Sequence, residues 1–384
     1  MRAADFTPAL ATRLLVLQPT PFCNIDCSYC YLPRRDDRSR MAIATARMAA
    51  RRLREDALLA DELTVVWHAG EPLVLPPAYY EDAFAAIAEE LPGVPVTHAV
   101  QTNATLIDET WCRFFLQHGV SLGLSVDGPA ALHDRHRRTR QGAGTHARVM
   151  HAMALLRTHG VPFHAIAVVG AATLAAPDAF YDWFAAQGIT ELGCNFDEAE
   201  GAHAQSSLQG HEAAHAAFMA RLLERSLHGT VAVRELAAAW RALREPAPQW
   251  AWRGQRWPQN AQVQPLALVT VGHDGGFGTF SPELLGQPAA GWDGFVIGNV
   301  HGSGYLQALQ GEAFARQWQA VRQGIEACAA HCAYFDFCGG GAPANKFYEH
   351  GDFAAGETLH CRSMVQRPFD AVLQRAERAK GMAA

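Results

Sequence analysis

The sequence runs to 384 residues with a formal net charge of −6, 49% hydrophobic and 18% charged residues. That length exceeds what one hydrophobic core usually organises, so a large domain with a smaller companion is expected. The charge leaves no basic surplus for phosphates, which argues against nucleic acid as the main partner, and no apolar run reaches the length of a membrane span.

From residue 14 onward, short apolar runs alternate with longer amphipathic ones, the pattern of parallel βα units. Strands are expected at 14–18, 63–67, 96–101, 121–126, 163–169 and 191–196. Helices are expected at 42–59, 79–91, 109–118, 145–159, 178–187 and 210–227. The fold class is therefore α/β, an open, partial (βα)6 barrel over 10–229. Polar and Gly/Pro clusters follow the strands, where a barrel's C-terminal rim carries its active site. Residues 230–265 read as a bridging segment crowded with Trp250, Trp252 and Trp257. Residues 266–365 form a small, Gly-rich region with its own cysteines, and 366–384 read as a terminal helix. The stretch from Met1 to Pro8 has no apolar export core, so a cytoplasmic protein without a membrane partner is expected. In such a reducing compartment, clustered cysteines are metal ligands more often than disulfides.

The loop after the first strand reads Cys23-Asn-Ile-Asp-Cys27-Ser-Tyr-Cys30. Three thiolates from one loop suit three irons of a 4Fe–4S cube and leave the fourth iron open. A zinc site completed by His68 fits the same spacing. At later strand ends stand Trp67-His-Ala-Gly-Glu-Pro72, Gln101-Thr-Asn103 and Ser125-Val-Asp-Gly-Pro129, with His133, Asp134 and Arg137 beyond. Cys328, Cys332 and Cys338, followed by Cys361, make a second set. Four thiolates close a complete cluster, and a four-cysteine zinc site is the alternative. Gly339 to Gly341 would let backbone N–H groups approach the sulfurs. Cys112 and Cys194 match no metal pattern and read as small buried hydrophobes.

The first cysteine run, with Tyr29 before its last member, and the strand-end motifs in order resemble the radical SAM (S-adenosylmethionine) superfamily along the whole barrel. The resemblance implies SAM and a cluster on Cys23, Cys27 and Cys30. Gly70 and Glu71 would receive the SAM amino group, with Ala69 in place of the family's first glycine. Ser125 and Arg137 would bind ribose or methionine, and Tyr29 would lie near the adenine. Asn103 and Asp127 belong to matching cofactor-binding motifs. The second region is similar to the SPASM domain of peptide-modifying members. Two family cysteines are missing, with Ser281 and Ala342 where they are expected, which implies one auxiliary 4Fe–4S cluster rather than two. The strings 195–201, 280–286 and 338–346 resemble peptide maturases that form three-residue cyclophanes. That branch joins an aromatic ring carbon to a β-carbon in a ribosomal precursor peptide, using a donor such as flavodoxin or ferredoxin. The anaerobic sulfatase maturases, which make formylglycine, are the alternative. For the base that takes the ring proton, Glu283 is the first choice and Glu198 and Glu200 are rivals.

Overall fold

The computed structural model describes residues 1–381. Six parallel strands form its centre: β1 (Thr12–Leu17), β2 (Leu59–Trp67), β3 (Val96–Thr102), β4 (Ser121–Ser125), β5 (His164–Val169) and β6 (Glu191–Phe196). Each is followed by a helix: α1 (Ile43–Glu55), α2 (Pro77–Glu90), α3 (Glu109–His118), α4 (His146–Thr158), α5 (Pro177–Ala186) and α6 (Glu212–His228). The expected strands and helices are present to within a few residues, with one correction. Helix α1 ends at Glu55 rather than 59, because Ala57 turns into the left-handed region at φ 52° and the chain enters β2 two residues later.

The sheet extends past the six barrel strands at both edges. A short β7 (Ala232–Val233) pairs in parallel with β6, and β8 (Leu268–Val271) pairs in parallel with β1. Two antiparallel strands follow, β9 (Gly276–Thr279) and β10 (Gly298–Asn299). The spatial order of the 10-stranded sheet is β7-β6-β5-β4-β3-β2-β1-β8-β9-β10, open at both ends. Leu15 and Leu17 on β1 and Val269 and Val271 on β8 are fully buried, so one apolar core runs across the join. Alternate side chains of the barrel strands, such as Val65 and Trp67 on β2 and Ala165, Ala167 and Val169 on β5, are buried, while Val66, Ile166 and Val168 between them line the cavity described below.

The tryptophan-rich stretch is a hairpin, Gln249–Trp252 against Gln255–Pro258, with Phe6–Thr7 as a third strand. Trp250 and Trp257 are buried with ring centroids 4.9 Å apart, and Trp318 packs beside them. These rings close a core and none lines the cavity described below. Further helices of eight residues or more are α7 (Arg234–Arg244), α8 (Glu312–His331), α9 (Pro343–His350) and α10 (Arg367–Gly381). The expected terminal helix thus exists as α10, and residues 382–384 of that expectation lie outside the described residues. None of the described helices is long and apolar enough to cross a membrane.

Candidate active site

The loops leaving β1, β2, β3 and β6 converge on a cavity of about 570 Å³. Cys23, Cys27, Cys30, Glu71, Arg137 and Glu283 all line it. The cysteine loop is held by its ends. Ile25–Cys27 pairs antiparallel with Arg137–Thr139, which sets Cys27 opposite Arg137. The Cys23 carbonyl accepts from Arg140 Nε at 2.9 Å, and the Cys27 carbonyl accepts from Arg35 Nη1 at 3.2 Å. Burial pushes the Cys23 and Cys27 thiols up to about 12 and raises that of Cys30. Bare thiolates are thus disfavoured here, and bound iron would supply the charge that stabilises them. Among the described residues, no three His, Cys, Asp or Glu side chains are grouped closely enough to hold a single metal ion. His68 lines the same cavity, with burial driving its pKa down to about 4, yet it completes no such group. Sulfurs spread round one cavity suit a polynuclear cluster better than one zinc ion.

The loop after β2 makes a tight approach to the cysteine loop. Gly70 has φ +59°, and a Cβ there would lie 2.4 Å from the Thr20 carbonyl oxygen and 2.5 Å from that of Phe22. Only glycine fits such a backbone contact. Ala69 beside it also has positive φ, 73°, the conformation that a glycine would adopt without strain. Glu71 is buried and accepts from Thr102 Oγ1 at 2.6 Å, Asn103 N at 2.7 Å and Leu73 N at 3.0 Å. Burial raises its pKa to about 7 against these bonds. One carboxylate therefore locks the ends of β2 and β3 together. Asn103 donates to Asn24 Oδ1 at 2.8 Å and reaches Cys23 Sγ at 3.7 Å, which ties the β3 loop to the cysteine loop.

Arg137, Asp127 and Tyr29 form one buried group. Arg137 Nε donates to Asp127 Oδ2 at 3.0 Å, the Tyr29 hydroxyl donates to the same oxygen, and Val168 N donates to Oδ1 at 2.9 Å. Burial and the Asp127 carboxylate raise the Tyr29 pKa, so the phenol stays protonated. Tyr29, Ser125 and Arg137 face the cavity, whereas Asp127 stands behind and aims Tyr29 and Arg137. Ser125 Oγ accepts from Gln101 Nε2 at 2.9 Å.

An acidic part of the lining comes from distant sequence. Glu198 and Glu200, beyond β6, share it with Glu283, beyond β9. Burial, then mutual repulsion, holds Glu200 well above the usual carboxylate range, and burial raises Glu283 to about 7. Glu198 differs from its neighbours because it is paired: its Oε2 accepts from Asn345 Nδ2 at 2.7 Å and meets His360 Nδ1. Sequence reasoning missed Tyr31, whose buried hydroxyl has no partner among the described residues. It also missed His360 and Lys346. Adjacency to Cys30 and Cys361 is the only signal the sequence carries for the first two.

A second cavity, of about 440 Å³, is lined by Cys328, Cys332, Cys338 and Cys361. The Gly341 amide donates to Cys338 Sγ at 3.2 Å, and Thr358 N donates to Cys361 Sγ at 2.9 Å. Gly339, Gly340 and Gly341 all have positive φ, at 67°, 114° and 78°. The four cysteines line one cavity, and among the described residues they form no group close enough to hold a single metal ion. Cys112 and Cys194 are fully buried in the apolar core, away from both cavities.

An open parallel sheet with three loop cysteines at the rim defines a radical SAM enzyme. The Radical SAM superfamily matches residues 17–184. An uncharacterized protein of Synechocystis sp. is 34% identical over 394 residues, covering 100% of this chain and 96% of that protein. The chain belongs to the radical SAM superfamily. It is also similar to the serine-type anaerobic sulfatase-maturating enzyme of Klebsiella aerogenes, 34% identical over 50% of this chain and 48% of that enzyme. In fold it matches native anSMEcpe with bound AdoMet and Cp18Cys peptide, at TM-score 0.77 and 19% identity, covering 97% of this chain and 100% of the other. Streptococcus suis SuiB bound to precursor peptide SuiA matches at TM-score 0.60 and 15% identity, covering 92% of this chain and 76% of SuiB.

Proposed function

We propose that this enzyme is a SPASM-type peptide maturase that takes a β-hydrogen from a ribosomally made precursor and joins that carbon to an aromatic ring carbon. The observation that carries the reading is that one cavity gathers both sets of residues. The cysteine loop and the SAM-motif residues line it together with Glu200 and Glu283, whose carboxyls have raised pKa values. Peptides are named in the two matching solved structures, which supports a peptide in this cavity as well.

When bound, a 4Fe–4S cluster on Cys23, Cys27 and Cys30 with SAM supplies a 5′-deoxyadenosyl radical for hydrogen abstraction. Arg137 and Tyr29, aimed by Asp127, orient the nucleoside and methionine portions. Glu71 holds the loop that receives the SAM amino group. Glu283 takes the ring proton when aromaticity is restored, since a base with pKa near ambient pH serves that step best. Glu200, kept protonated by burial and then by its acidic neighbours, limits repulsion and shares the proton. The pair titrates together. Cys328, Cys332, Cys338 and Cys361 would hold a second 4Fe–4S cluster as the acceptor of the departing electron. The barrel over 10–229, the bridge over 230–265 and the cluster region over 266–365 would act as one unit around the peptide.

The test is mass spectrometry of candidate short peptides after anaerobic incubation with SAM and reductant. A crosslink loses two hydrogens per link, suppresses backbone fragments inside the three-residue ring and leaves no hydrazine-reactive carbonyl. The rate should rise with pH through about 7 as Glu283 ionises. Glu283→Gln should remove that limb and cost on the order of 10²-fold in rate. Formylglycine formation is the second reading, favoured by the similarity to the Klebsiella enzyme. An aldehyde in the product, with fragments running through the modified segment, establishes it instead.

A further inference from the structure

Arginine does almost all the cationic work in this chain: of its 32 Lys and Arg residues, only Lys346 and Lys380 are lysine. Lys346, on α9, is 3% exposed. Its ammonium meets two acceptors among the described residues, Gly324 O at 2.8 Å and Cys328 Sγ at 3.3 Å, and neither is a carboxylate. The space is made for it. A Cβ on Gly324 would come within 3.0 Å of Lys346 Nζ and 2.2 Å of the Phe353 carbonyl oxygen. Gly341 packs over the stem, where an added Cβ would lie 3.5 Å from Lys346 Cε. A buried ammonium without a countercharge is strongly unfavourable. The sulfur of Cys328, once a thiolate, is the anion that this arrangement provides. Arginine's planar fork is built for paired oxygens, whereas a compact ammonium presents a point charge to one sulfur.

We propose that Lys346 is a fixed positive charge that raises the reduction potential of the metal cluster held by Cys328, Cys332, Cys338 and Cys361. The inference rests on the reading of those cysteines as ligands of a second 4Fe–4S cluster. Cluster potentials depend on net charge and on hydrogen bonds to the sulfurs. A cation beside one ligand favours the form carrying the extra electron over the oxidised form, and more so where water is scarce. The other sulfurs receive neutral donors, from Gly341 N to Cys338 and from Thr358 N to Cys361. Lys346 is therefore the one charged donor among the sulfur contacts described for this cavity. It positions the second site to accept one electron from the peptide intermediate, whose proton leaves separately to the cavity base.

The experiment is a potentiometric titration of the reconstituted full chain, followed by electron paramagnetic resonance. Wild type is compared with Lys346→Met, Lys346→Gln and Lys346→Arg. Iron is counted first. Wild type holding about four irons and a zinc, rather than about eight irons, refutes the second cluster itself, whatever Lys346 does. With about eight irons present, the Met and Gln variants should keep their iron. At a fixed potential, the reduced fraction of the second cluster should fall at least tenfold relative to oxidised, a shift of about 59 mV for one electron. Lys346→Arg should restore most of the shift, and the first cluster should be unmoved in every variant. Equal potentials in all loaded variants would overturn the proposal. So would loss of the second cluster from both neutral variants with retention in Lys346→Arg, which assigns the charge to assembly instead.

Discussion

Two neighbouring residues show how local geometry limits what the site tolerates. Gly70 has no room for a Cβ against two backbone carbonyls, so Gly70→Ala must displace the cysteine loop. Backbone strain alone sets the cost at about 1–3 kcal/mol, and iron at the first site should be lost more easily to a chelator. Ala69 carries the opposite lesson. Its positive φ stores about 1–2 kcal/mol of strain, partly offset in a glycine by about 0.5–1 kcal/mol of chain entropy. Ala69→Gly should therefore raise the melting temperature slightly and leave SAM cleavage intact, and a fall in melting temperature would show the strain is absent. The departure from the family's glycine was visible in the sequence, but its left-handed backbone was not. Residues inside contiguous motifs were legible because their partners are covalent neighbours. Lys346 and His360 were not, because Lys346 meets a sulfur 18 residues away and His360 a carboxylate 162 residues away.

At the level of elements, the C-terminal ends of the strands were legible to within a residue because apolar runs stop there at polar loop residues, whereas β2 starts at Leu59, four residues before the expected 63, because Asp61 and Glu62 break its apolar run. Loops were legible only as polar punctuation. The loop after β6 is the clearest case. Gly201, at φ +52°, brings its backbone against the Tyr31 carbonyl, where a Cβ would lie at 2.4 Å. Ala202 N then donates to that carbonyl at 2.9 Å and Gln287 Nε2 does so at 3.3 Å. The acidic wall is thereby fastened to the residue that follows Cys30. Gly201→Ala should break this fastening at a cost of about 1–3 kcal/mol. Peptide modification should fall more than uncoupled 5′-deoxyadenosine formation, since the altered loop carries Glu200, which on the proposed function acts on the peptide. Equal losses in the two assays would show that the loop serves the cluster rather than the substrate.

Across the whole molecule, the division expected near residue 266 does not interrupt the sheet. β8 covers β1 in parallel, and Leu268 to Val271 pair in register with Leu14 to Leu17. A chain ending at residue 265 would expose the buried side chains of β1 along an unpaired edge, the usual route to edge-to-edge aggregation. It should be recovered insoluble or as large species in size-exclusion chromatography, and a monodisperse, cluster-loaded fragment would refute this. The sequence hid the join because a strand's own pattern does not name its neighbour. The cavity is assembled across the same join. Its cysteine and SAM-motif lining lies within residues 14–137, while Pro282 and Glu283, which also line it, are held by Gln18 Nε2 donating to the Pro282 carbonyl at 3.0 Å. On the proposed function, the residues that would generate the radical and those that would act on its target are thus specified by separate stretches of chain. Such a layout lets descendants trade the 280–287 turn for another and redirect the same reagent to a new peptide, with the apparatus that makes the reagent left as it was.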